Sequence, residues 1–459
     1  MTGHDLIIIV GLLIGGALAL AGLFRPFLGL LLLITIHFMQ PGELIPALAP
    51  FRLEFVYGIL VILSFILHRA SGSSRPLFSH RIFIAALILL GVATLSIPFA
   101  IWRFGALDQT ITLTKLVVFL FLIGTLVDTN ERMRTVVWLL VGLLVWYAGS
   151  ALSAYLRGEF VFAQGIERAV GRTSEVGGPN ELAGLIVALL PFLVVAFRTS
   201  RKILVKALLL PVCPLALAAV VVTGSRSGML NGAAIAGFYV LMSKHKVVSF
   251  VMVAVMAVGL WLAMPPQYQQ RYLTMRDYAT GGQLDASNEF RLRVWKAGWR
   301  MFLDHPILGV GAGQFPTAYG TVYSGRAHGA WMNPHNLIIQ VGCELGLIGL
   351  FVFGYFMSQI VKANYSQLRL KGQAGYELNY EVAVACGAFL LGLAVASTFG
   401  HTLYRPYWYL LGGLVVANGL TADKIEKTQV RPSAEEVKVA NGEREARFVT
   451  QTYQMRGRM

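Results

Sequence analysis

The stretch that decides the fold is Asn333-Pro334-His335-Asn336 followed at 337–357 by LIIQVGCELGLIGLFVFGYFM. The apolar run is long enough to cross a bilayer as one helix, which takes about 20 residues. Asn333 can cap that helix and Pro334 suits its first position, so the sequence predicts that His335 lies in the first turn. A titratable side chain is therefore expected where a membrane helix meets water.

Glycines at 342, 346 and 349 follow within the same run. At about 100° per residue, they lie within roughly 40° of the direction of His335. This pattern predicts a strip of bare backbone that serves either for close helix packing or as a groove for a lipid chain. Glu344 lies on the opposite face, and we expect it to hydrogen-bond to a neighbouring helix because an unpaired acid at that depth is costly.

The composition extends this interpretation to the whole chain. Of 459 residues, 56% are hydrophobic and 13% are charged, which excludes a soluble domain and predicts an all-α polytopic membrane protein. Apolar runs of span length number about twelve or thirteen, and the run 26–40 is short enough to be broken or re-entrant. We assign the net charge of +15 to basic loops rather than to nucleic-acid binding. The cysteines lie in apolar runs without metal-ligand spacing: Cys213, Cys343 and Cys386.

Basic loops orient the spans. Short positive loops alternate consistently if all of them face the cytoplasm: 68–81, 198–206, 244–246 and 362–371. The opposite side then receives two longer loops, which are the usual carriers of function. The resulting division has five parts: N-terminal transmembrane helices at 1–155, central transmembrane helices at 156–264 with an outer loop at 156–180, a long outer loop at 265–333, C-terminal transmembrane helices at 334–420 and a charged cytoplasmic tail at 421–459.

The long outer loop contains an amphipathic segment at 288–304. Its apolar residues share one face at helical spacing, which suits a helix lying on the membrane surface: Leu292, Trp295, Trp299 and Phe302. A separate basic stripe suits anionic headgroups or acceptor phosphates: Arg293, Lys296 and Arg300. Arg291 points away from that stripe and precedes Trp295 by four residues.

Three arginines on the outer side are candidates for binding an anionic group. They are Arg291, Arg226 in Gly224-Ser225-Arg226-Ser227-Gly228, and Arg172 shortly before Pro179-Asn180-Glu181. Guanidinium groups bind phosphates with bidentate geometry. The alternative is that Arg226 and Arg172 only anchor their spans at the headgroups. We expect Arg226 and Arg291 to line one cavity with His335, within roughly 15 Å of it, with Arg172 as a third member.

The motifs resemble those of a known family. His335-Asn336, nine residues, Gly346, two residues and Gly349 match the signature of the bacterial O-antigen ligase family. Three further segments are similar to other landmarks of that superfamily, in the expected order: Ser225-Arg226-Ser227-Gly228, Arg291-x-x-x-Trp295 and His305-Pro306-x-x-Gly309-x-Gly311. The resemblance covers residues 170–360, whereas over the first 150 residues it is one of hydropathy alone.

The resemblance implies a GT-C-like glycosyltransferase at the periplasmic face of the inner membrane. Such an enzyme moves a polysaccharide from undecaprenyl pyrophosphate to a sugar hydroxyl of lipid A–core, with inversion at the anomeric carbon. It implies His335 as the general base and Arg172, Arg226, Arg291 and Asn336 as substrate-binding residues. Membrane lipids are further partners, and no metal, cofactor, nucleotide or nucleic acid is implied.

The residue types fit that chemistry independently. The chain has no glycine-rich phosphate loop or paired carboxylates for a metal–nucleotide complex, whereas fixed arginines can neutralise a departing diphosphate. A neutral imidazole can take the proton of a hydroxyl near pH 7, and the positive end of a helix disfavours its protonation. Alternatives are a polymerase that joins repeat units on the lipid carrier and a ligase that moves glycan onto protein. A transporter of lipid-linked sugars would instead need charges along a path through several spans.

Overall fold

The computed structural model describes residues 15–16, 20–70, 80–174, 176–279, 286–324 and 331–430. Within these residues, nine helical segments are long and apolar enough to cross a membrane. Regular structure there is helical apart from one two-stranded hairpin. The prediction of an all-α polytopic membrane protein is therefore confirmed.

The first half contains α1 (Pro26–Met39), α2 (Pro41–Leu44), α3 (Leu53–Ala70), α4 (Arg81–Ser96), α5 (Arg103–Leu126) and α6 (Asn130–Leu156). Two 3₁₀ segments, Pro46–Phe51 and Ile97–Phe99, precede α3 and follow α4. Strands β1 (Val161–Ala163) and β2 (Ile166–Arg168) then form an antiparallel hairpin in which Phe162 pairs with Glu167. The short helix α1 agrees with the short run at 26–40, and the predicted span at 5–24 lies mostly outside the described residues.

The second half contains α7 (Pro179–Thr199), α8 (Ile203–Leu209), α9 (Val212–Val222), α10 (Arg226–Met242), α11 (Lys246–Ala263), α12 (Pro266–Ala279), α13 (Ala286–Asp304), α14 (Phe315–Ala318), α15 (Leu337–Leu368), α16 (Glu377–Ser397) and α17 (Pro406–Val430). A π-helical turn, Tyr319–Tyr323, follows α14. The run predicted as one span at 204–222 is divided into α8 and α9, which adjoin at Pro211.

Neighbouring helices alternate in direction. At one end of the bundle, here called the site end, the N-termini of α7, α10, α15 and α17 meet the C-termini of α4, α6, α9 and α16. Backbone hydrogen bonds such as Ile101 N to Val310 O join loops at that end. The opposite, far end holds the ion pairs Arg198–Glu381 and Lys424–Asp128. Helix α13 and the long loop thus lie at the end opposite to the basic loop at 198–206.

Helix α13 presents two apolar faces rather than the one predicted. Val294, Ala297 and Met301 are buried against the segment from Val310 to Tyr319. Trp299 is 61% exposed, so that side of the helix remains available to a membrane surface. The predicted single face was wrong for Trp295, whose indole N–H instead donates to the carbonyl of Pro334 at 2.9 Å. Tertiary contacts therefore divide a face that periodicity alone joins.

Helix α15 is broken at Gly346, where φ is 66° and ψ is −163°. The segment 306–311 occupies the break and satisfies the backbone groups that it leaves. Val310 N donates to Cys343 O at 2.8 Å, and Leu347 N donates to Pro306 O at 2.8 Å. A Cβ on Gly346 would lie 2.2 Å from Ile307 O. The glycine strip is thus filled by backbone at this position, which leaves no space there for a lipid groove.

Glu344 is fully buried just before the break, and its partners lie in the segment 313–315 and at Tyr404. Its carboxylate accepts hydrogen bonds from Gly313 N at 3.1 Å and from Phe315 N at 3.4 Å. The hydroxyl of Tyr404 also hydrogen-bonds to it. The expected contact with a neighbouring helix is made by Phe315, the first residue of the short helix α14, while Gly313 and Tyr404 belong to loops. Glu344 therefore joins α15 to two loops of the site end.

Candidate functional site

His335 lies immediately before α15 rather than in its first turn. The helix begins at Leu337, and the Asn336 side chain caps it by accepting a hydrogen bond from Ile339 N at 3.1 Å. The prediction that Asn333 is the cap was wrong. The backbone turns at His335 with a φ of 46°, so helical hydrogen bonding starts only after that residue. This left-handed turn, next to a Pro334 held by Trp295, fixes the direction of the imidazole.

Both polar atoms of the Asn336 side-chain amide form hydrogen bonds within the protein. Its oxygen caps α15, and its NH₂ group donates to Thr398 O at 3.2 Å. The residue expected from the resemblance to bind substrate therefore also ties α15 to the segment that follows α16. Gln340 adds a second link, because its side-chain oxygen accepts a hydrogen bond from Leu403 N at 3.2 Å.

The segment after α16 carries a second histidine that the sequence analysis missed. The rings of His401 and His335 lie 5.4 Å apart at 84° to each other. The Nδ1 atom of His401 is buried and has no hydrogen-bond partner among the described residues. No sequence signal marked His401, because it follows a span without a recognisable motif. The contact between the imidazoles depends entirely on the apposition of α15 and α16.

His401 lines a small cavity of about 70 Å³ at the site end. Phe399 and Arg405 contribute to the same wall, while α7 and α10 supply the opposite one. The polar residues of that opposite wall are Asn180, Glu181 and Ser227. The cavity thus lies between the segment 399–407 and the N-termini of two helices, where partial positive charge favours an anionic ligand. We call it the histidine cavity.

Arg291 reaches this region from α13. Its guanidinium carbon lies 5.7 Å from the centroid of the Phe399 ring, which lines the histidine cavity. Burial lowers the pKa of His335, and the positive charge of Arg291 lowers it further, whereas Glu181 acts in the opposite direction. Burial, with the positive potential of His335 and Arg405, lowers the pKa of His401 to about 3. Both imidazoles are therefore neutral at pH 7.

Arg226 belongs to a second group of arginines beyond the other wall of the cavity. It is the first residue of α10, whose N-terminus is capped by the Ser225 hydroxyl, an acceptor for Gly228 N at 3.1 Å. Arg168, which is 4% exposed, donates to Asn180 Oδ1 at 3.0 Å and to Thr223 O, shortly before α10, at 2.7 Å. Burial together with Arg271 and Arg226 lowers the pKa of Arg168 to about 10.

Three arginines of the site end were not among the predicted site residues: Arg168, Arg271 and Arg405. Arg271 and Arg226 interact electrostatically with Arg168, whereas Arg405 lines the histidine cavity. Arg271 Nε donates to Gly224 O at 2.7 Å, which anchors α12 beside the start of α10. Arg405 lies directly before α17, and a basic residue at the end of a span commonly anchors it at the lipid headgroups. Position in the sequence alone thus gave no reason to select these three.

Arg172 has a different environment from the other candidates. Its guanidinium forms an ion pair with Glu159 at 2.9 Å, and both side chains are about half exposed, at 47% and 51%. Arg157 binds the same carboxylate, and the two arginines lower the pKa of Glu159 to about 2. Arg172, like Arg226, Arg291 and His335, is not among the residues that line the histidine cavity, but those three lie beside its lining residues. A local carboxylate holds this arginine, so the structure gives no support to the expectation that it is a third member.

The arrangement can hold an anionic group near a neutral base. Within the described residues, no three His, Cys, Asp or Glu side chains come together as metal ligands would. Arg405 and His401 line the histidine cavity, Arg291 lies over the Phe399 ring beside it, and His335 contacts His401. Such a site can neutralise negative charge while a proton is removed close by.

Residues 211–354 match the family model described as O-antigen ligase. The matched region contains Arg226, Arg291 and His335, while Arg168 and His401 lie outside it. No curated protein matches the chain. The resemblance inferred from the motifs is confirmed for this region.

Proposed function

We propose that this chain, a member of the O-antigen ligase family, transfers a polysaccharide from undecaprenyl pyrophosphate to a sugar hydroxyl of lipid A–core. The family match supports a ligase- or polymerase-type glycosyltransferase in a membrane. The observation that carries the finer proposal is the position of a neutral His335 beside Arg291 and next to the histidine cavity. A base and a cation that interact electrostatically suit a reaction in which a hydroxyl is deprotonated while an anion departs.

The proposed reaction is a single displacement at the anomeric carbon. His335 takes the proton of the acceptor hydroxyl, and the oxygen forms a bond to the anomeric carbon. The bond between that carbon and the phosphate oxygen breaks, and undecaprenyl pyrophosphate leaves with the bonding electrons. Attack from the opposite face inverts the configuration. The imidazolium of His335 is disfavoured beside Arg291, which favours release of its proton to water before the next cycle.

Arginines take the role that a divalent ion has in many reactions of diphosphates. Arg291 and Arg226 are the proposed diphosphate ligands, and Arg405 lines the cavity between them. Bidentate guanidinium contacts can bind both phosphate groups and stabilise the charge that develops on the leaving oxygen. Arg168, through Asn180, is assigned to positioning the wall next to Arg226. No metal or nucleotide takes part in this scheme.

The proposed location is the inner membrane, with the site end in the periplasm and the far end in the cytoplasm. This orientation follows the basic loops, which belong to the far end. Cysteine labelling with an impermeant reagent tests it: position 299 should react in intact cells with a permeable outer membrane, and position 202 only after lysis. The opposite result would place the site on the nucleotide-containing side and contradict the proposal.

His335→Ala tests the catalytic role, with His245→Ala as the matched control because His245 is an exposed histidine at the far end. Purified protein is incubated with the lipid-linked donor and lipid A–core, and the product is followed by gel shift. We expect His335→Ala to lower the rate about 10²- to 10⁴-fold, as for loss of a general base, with unchanged expression and melting temperature. Activity within a few-fold of the control would leave His335 without a catalytic role.

Deletion of the gene distinguishes the ligase from its alternatives. Unattached polymer on the lipid carrier supports ligation, whereas single repeat units on the core support polymerisation. Loss of a modified protein with normal lipopolysaccharide supports transfer to protein. Loss of all outer glycan supports transport, which the clustering of arginines at one end of the bundle disfavours.

A further inference from the structure

A second, larger cavity lies between α1, α3 and α5, on the other side of the segment 401–406. Its volume is about 440 Å³, and apolar side chains form most of its wall, among them Leu33, Phe55, Ile59, Phe119 and Leu122. Phe55 and Ile59 are 56% and 48% exposed, so this wall continues into the outer surface of the bundle. In a membrane protein that surface contacts lipid. We call this space the α3–α5 cavity.

Charged groups line this apolar space. His37 Nδ1 and Glu54 Oε1 are hydrogen-bonded at 2.9 Å, and Lys115 lies close enough to interact electrostatically with Glu54. Among the described residues, Lys115 has no hydrogen-bond partner. Gln40 and Thr112 add an amide and a hydroxyl to the wall. The cavity therefore combines a hydrocarbon lining with a polar cluster that includes a cation.

Lys115 lies within an apolar helix and faces the cavity. It is twelve positions into α5, a helix of 24 residues, and hence about 18 Å from its first residue. Its electrostatic neighbour Glu54 is the second residue of α3, so the two charges lie at the end of the cavity where α3 begins. A charge within a span is costly unless it faces a cavity or has a partner. Lys115 has both, and the anionic group of a ligand in the cavity would add a second partner.

The described residues that precede α1 do not fill the cavity. Tyr57 and Ser64 on α3 hydrogen-bond to the carbonyls of Gly15 and Gly22, respectively. These two positions lie on the face of α3 opposite to that of Ile59 and Ile62, which line the cavity. Gly15 and Gly22 thus pack behind α3, on the side that faces away from the cavity.

The α3–α5 cavity is adjacent to the histidine cavity. Tyr404 and Pro406 form part of its wall, while Arg405, between them, lines the histidine cavity with His401. The Tyr404 hydroxyl accepts a hydrogen bond from Gly313 N at 3.1 Å, which fixes the partition. The segment 404–406 thus separates the two cavities, and a molecule bound in one of them lies next to the other.

We propose that the α3–α5 cavity binds the lipid anchor of a phosphorylated glycolipid, the acceptor of the reaction. Its phosphate contacts Lys115, its sugar hydroxyl or amide groups contact Glu54 and Gln40, and an acyl chain lies along Ile59 and Phe119. This inference rests on the proposed function, in which both substrates are lipid-anchored and need separate entries. The carboxylate of Glu54 can accept hydrogen bonds from the hydroxyl and amide groups of a lipid A headgroup, while Lys115 binds its phosphate, so the cavity suits the acceptor.

Binding of bisphosphorylated lipid A tests the inference without turnover. The probe is added to the full chain in detergent, and retention is measured by native mass spectrometry, with dephosphorylated lipid A and undecaprenyl pyrophosphate as comparison ligands. Lys115→Met should weaken binding of the phosphorylated lipid roughly tenfold or more, the effect of losing one charge-assisted hydrogen bond. Lys115→Arg should retain most of it. Lys202→Met, at the exposed far end, is the matched control and should bind as the wild type does.

Misfolding does not explain the expected result, because removing a charge from the middle of a span should leave the melting temperature unchanged or raise it. Equal lipid A binding by Lys115→Met and wild type would overturn the inference, as would a Lys115 dependence confined to undecaprenyl pyrophosphate. In transfer assays, Lys115→Met should raise KM for lipid A–core and leave KM for the donor unchanged. Lys115-dependent binding without any transfer by the wild type would contradict the proposed function and leave this inference standing.

Discussion

Replacement of Gly346 by alanine tests whether the glycine of the histidine motif is there for backbone geometry. Its φ of 66° and ψ of −163° belong to a region that is essentially reserved for glycine. A Cβ at this position would also lie 2.2 Å from Ile307 O and 2.3 Å from Ile307 C. Both the backbone conformation and the close approach of segment 306–311 must change to accept a methyl group.

The strained backbone and the close contact together set the expected loss of stability in Gly346→Ala. A non-glycine residue in this backbone region costs about 1–3 kcal/mol, and overpacking against fixed backbone adds about 1–3 kcal/mol. The sum of about 2–6 kcal/mol corresponds to a change of roughly 30-fold to more than 10⁴-fold in the equilibrium that holds segment 306–311 in the break. Since that segment precedes the loop bound by Glu344, we expect its displacement to disturb Tyr404 and His401 as well.

Gly354→Ala is the matched control, because Gly354 lies in the same helix and a methyl group added there would meet no atom within 4 Å. It should be neutral or stabilising by up to about 1 kcal/mol, the difference between glycine and alanine within a helix. Melting temperature in detergent and transfer rate are measured for both variants. If Gly346→Ala melts and turns over like Gly354→Ala, the break in α15 is not a required part of the native structure.

Three further predictions concern the site. Arg172→Ala should reduce the transfer rate less than about fivefold, because its exposed ion pair with Glu159 contributes at most about 1 kcal/mol. A loss of activity as large as that caused by Arg226→Ala would show that Arg172 takes part in the reaction. The transfer rate should fall as pH drops through the lowered pKa of His335, since only the neutral imidazole accepts a proton. Arg291→Gln should raise that pKa and move the acid limb of the pH–rate profile to higher pH. If the acid limb does not move, Arg291 does not act on the pKa of His335. Transfer should persist in EDTA, and loss restored by a divalent ion would contradict the arginine mechanism.

Much of the fold was predictable because a hydrophobic run of bilayer length can satisfy its backbone hydrogen bonds within a membrane only as a helix. The same reasoning failed at α15, where a run without proline predicts an unbroken helix. The break at Gly346 arises from a segment some 40 positions earlier that supplies donors and acceptors to it, and no local pattern carries that information. The cap was misplaced for a related reason: Asn333 and Asn336 both fit, and only the turn at His335 decides between them.

The arginines illustrate the same limit at the candidate site. Basic residues at span ends are common, so the sequence could not separate Arg172, which pairs with Glu159, from Arg168, which is buried beside Asn180. Charge partners within a loop depend on its folded course, here the β1–β2 hairpin. His401 was invisible for a simpler reason, since its importance lies in a ring contact across two helices.

The insertion of segment 306–311 into α15 also limits how this protein can be recombined. A long extramembrane loop usually looks like a module that can be exchanged between homologues to alter specificity. Here the loop contributes backbone hydrogen bonds to the interior of a membrane helix, so loop and helix form one unit that is discontinuous in sequence. A chimera that exchanges 265–333 alone would have a crossover point in the middle of that unit, whereas one that also carries the helix through Leu350 would transfer it intact.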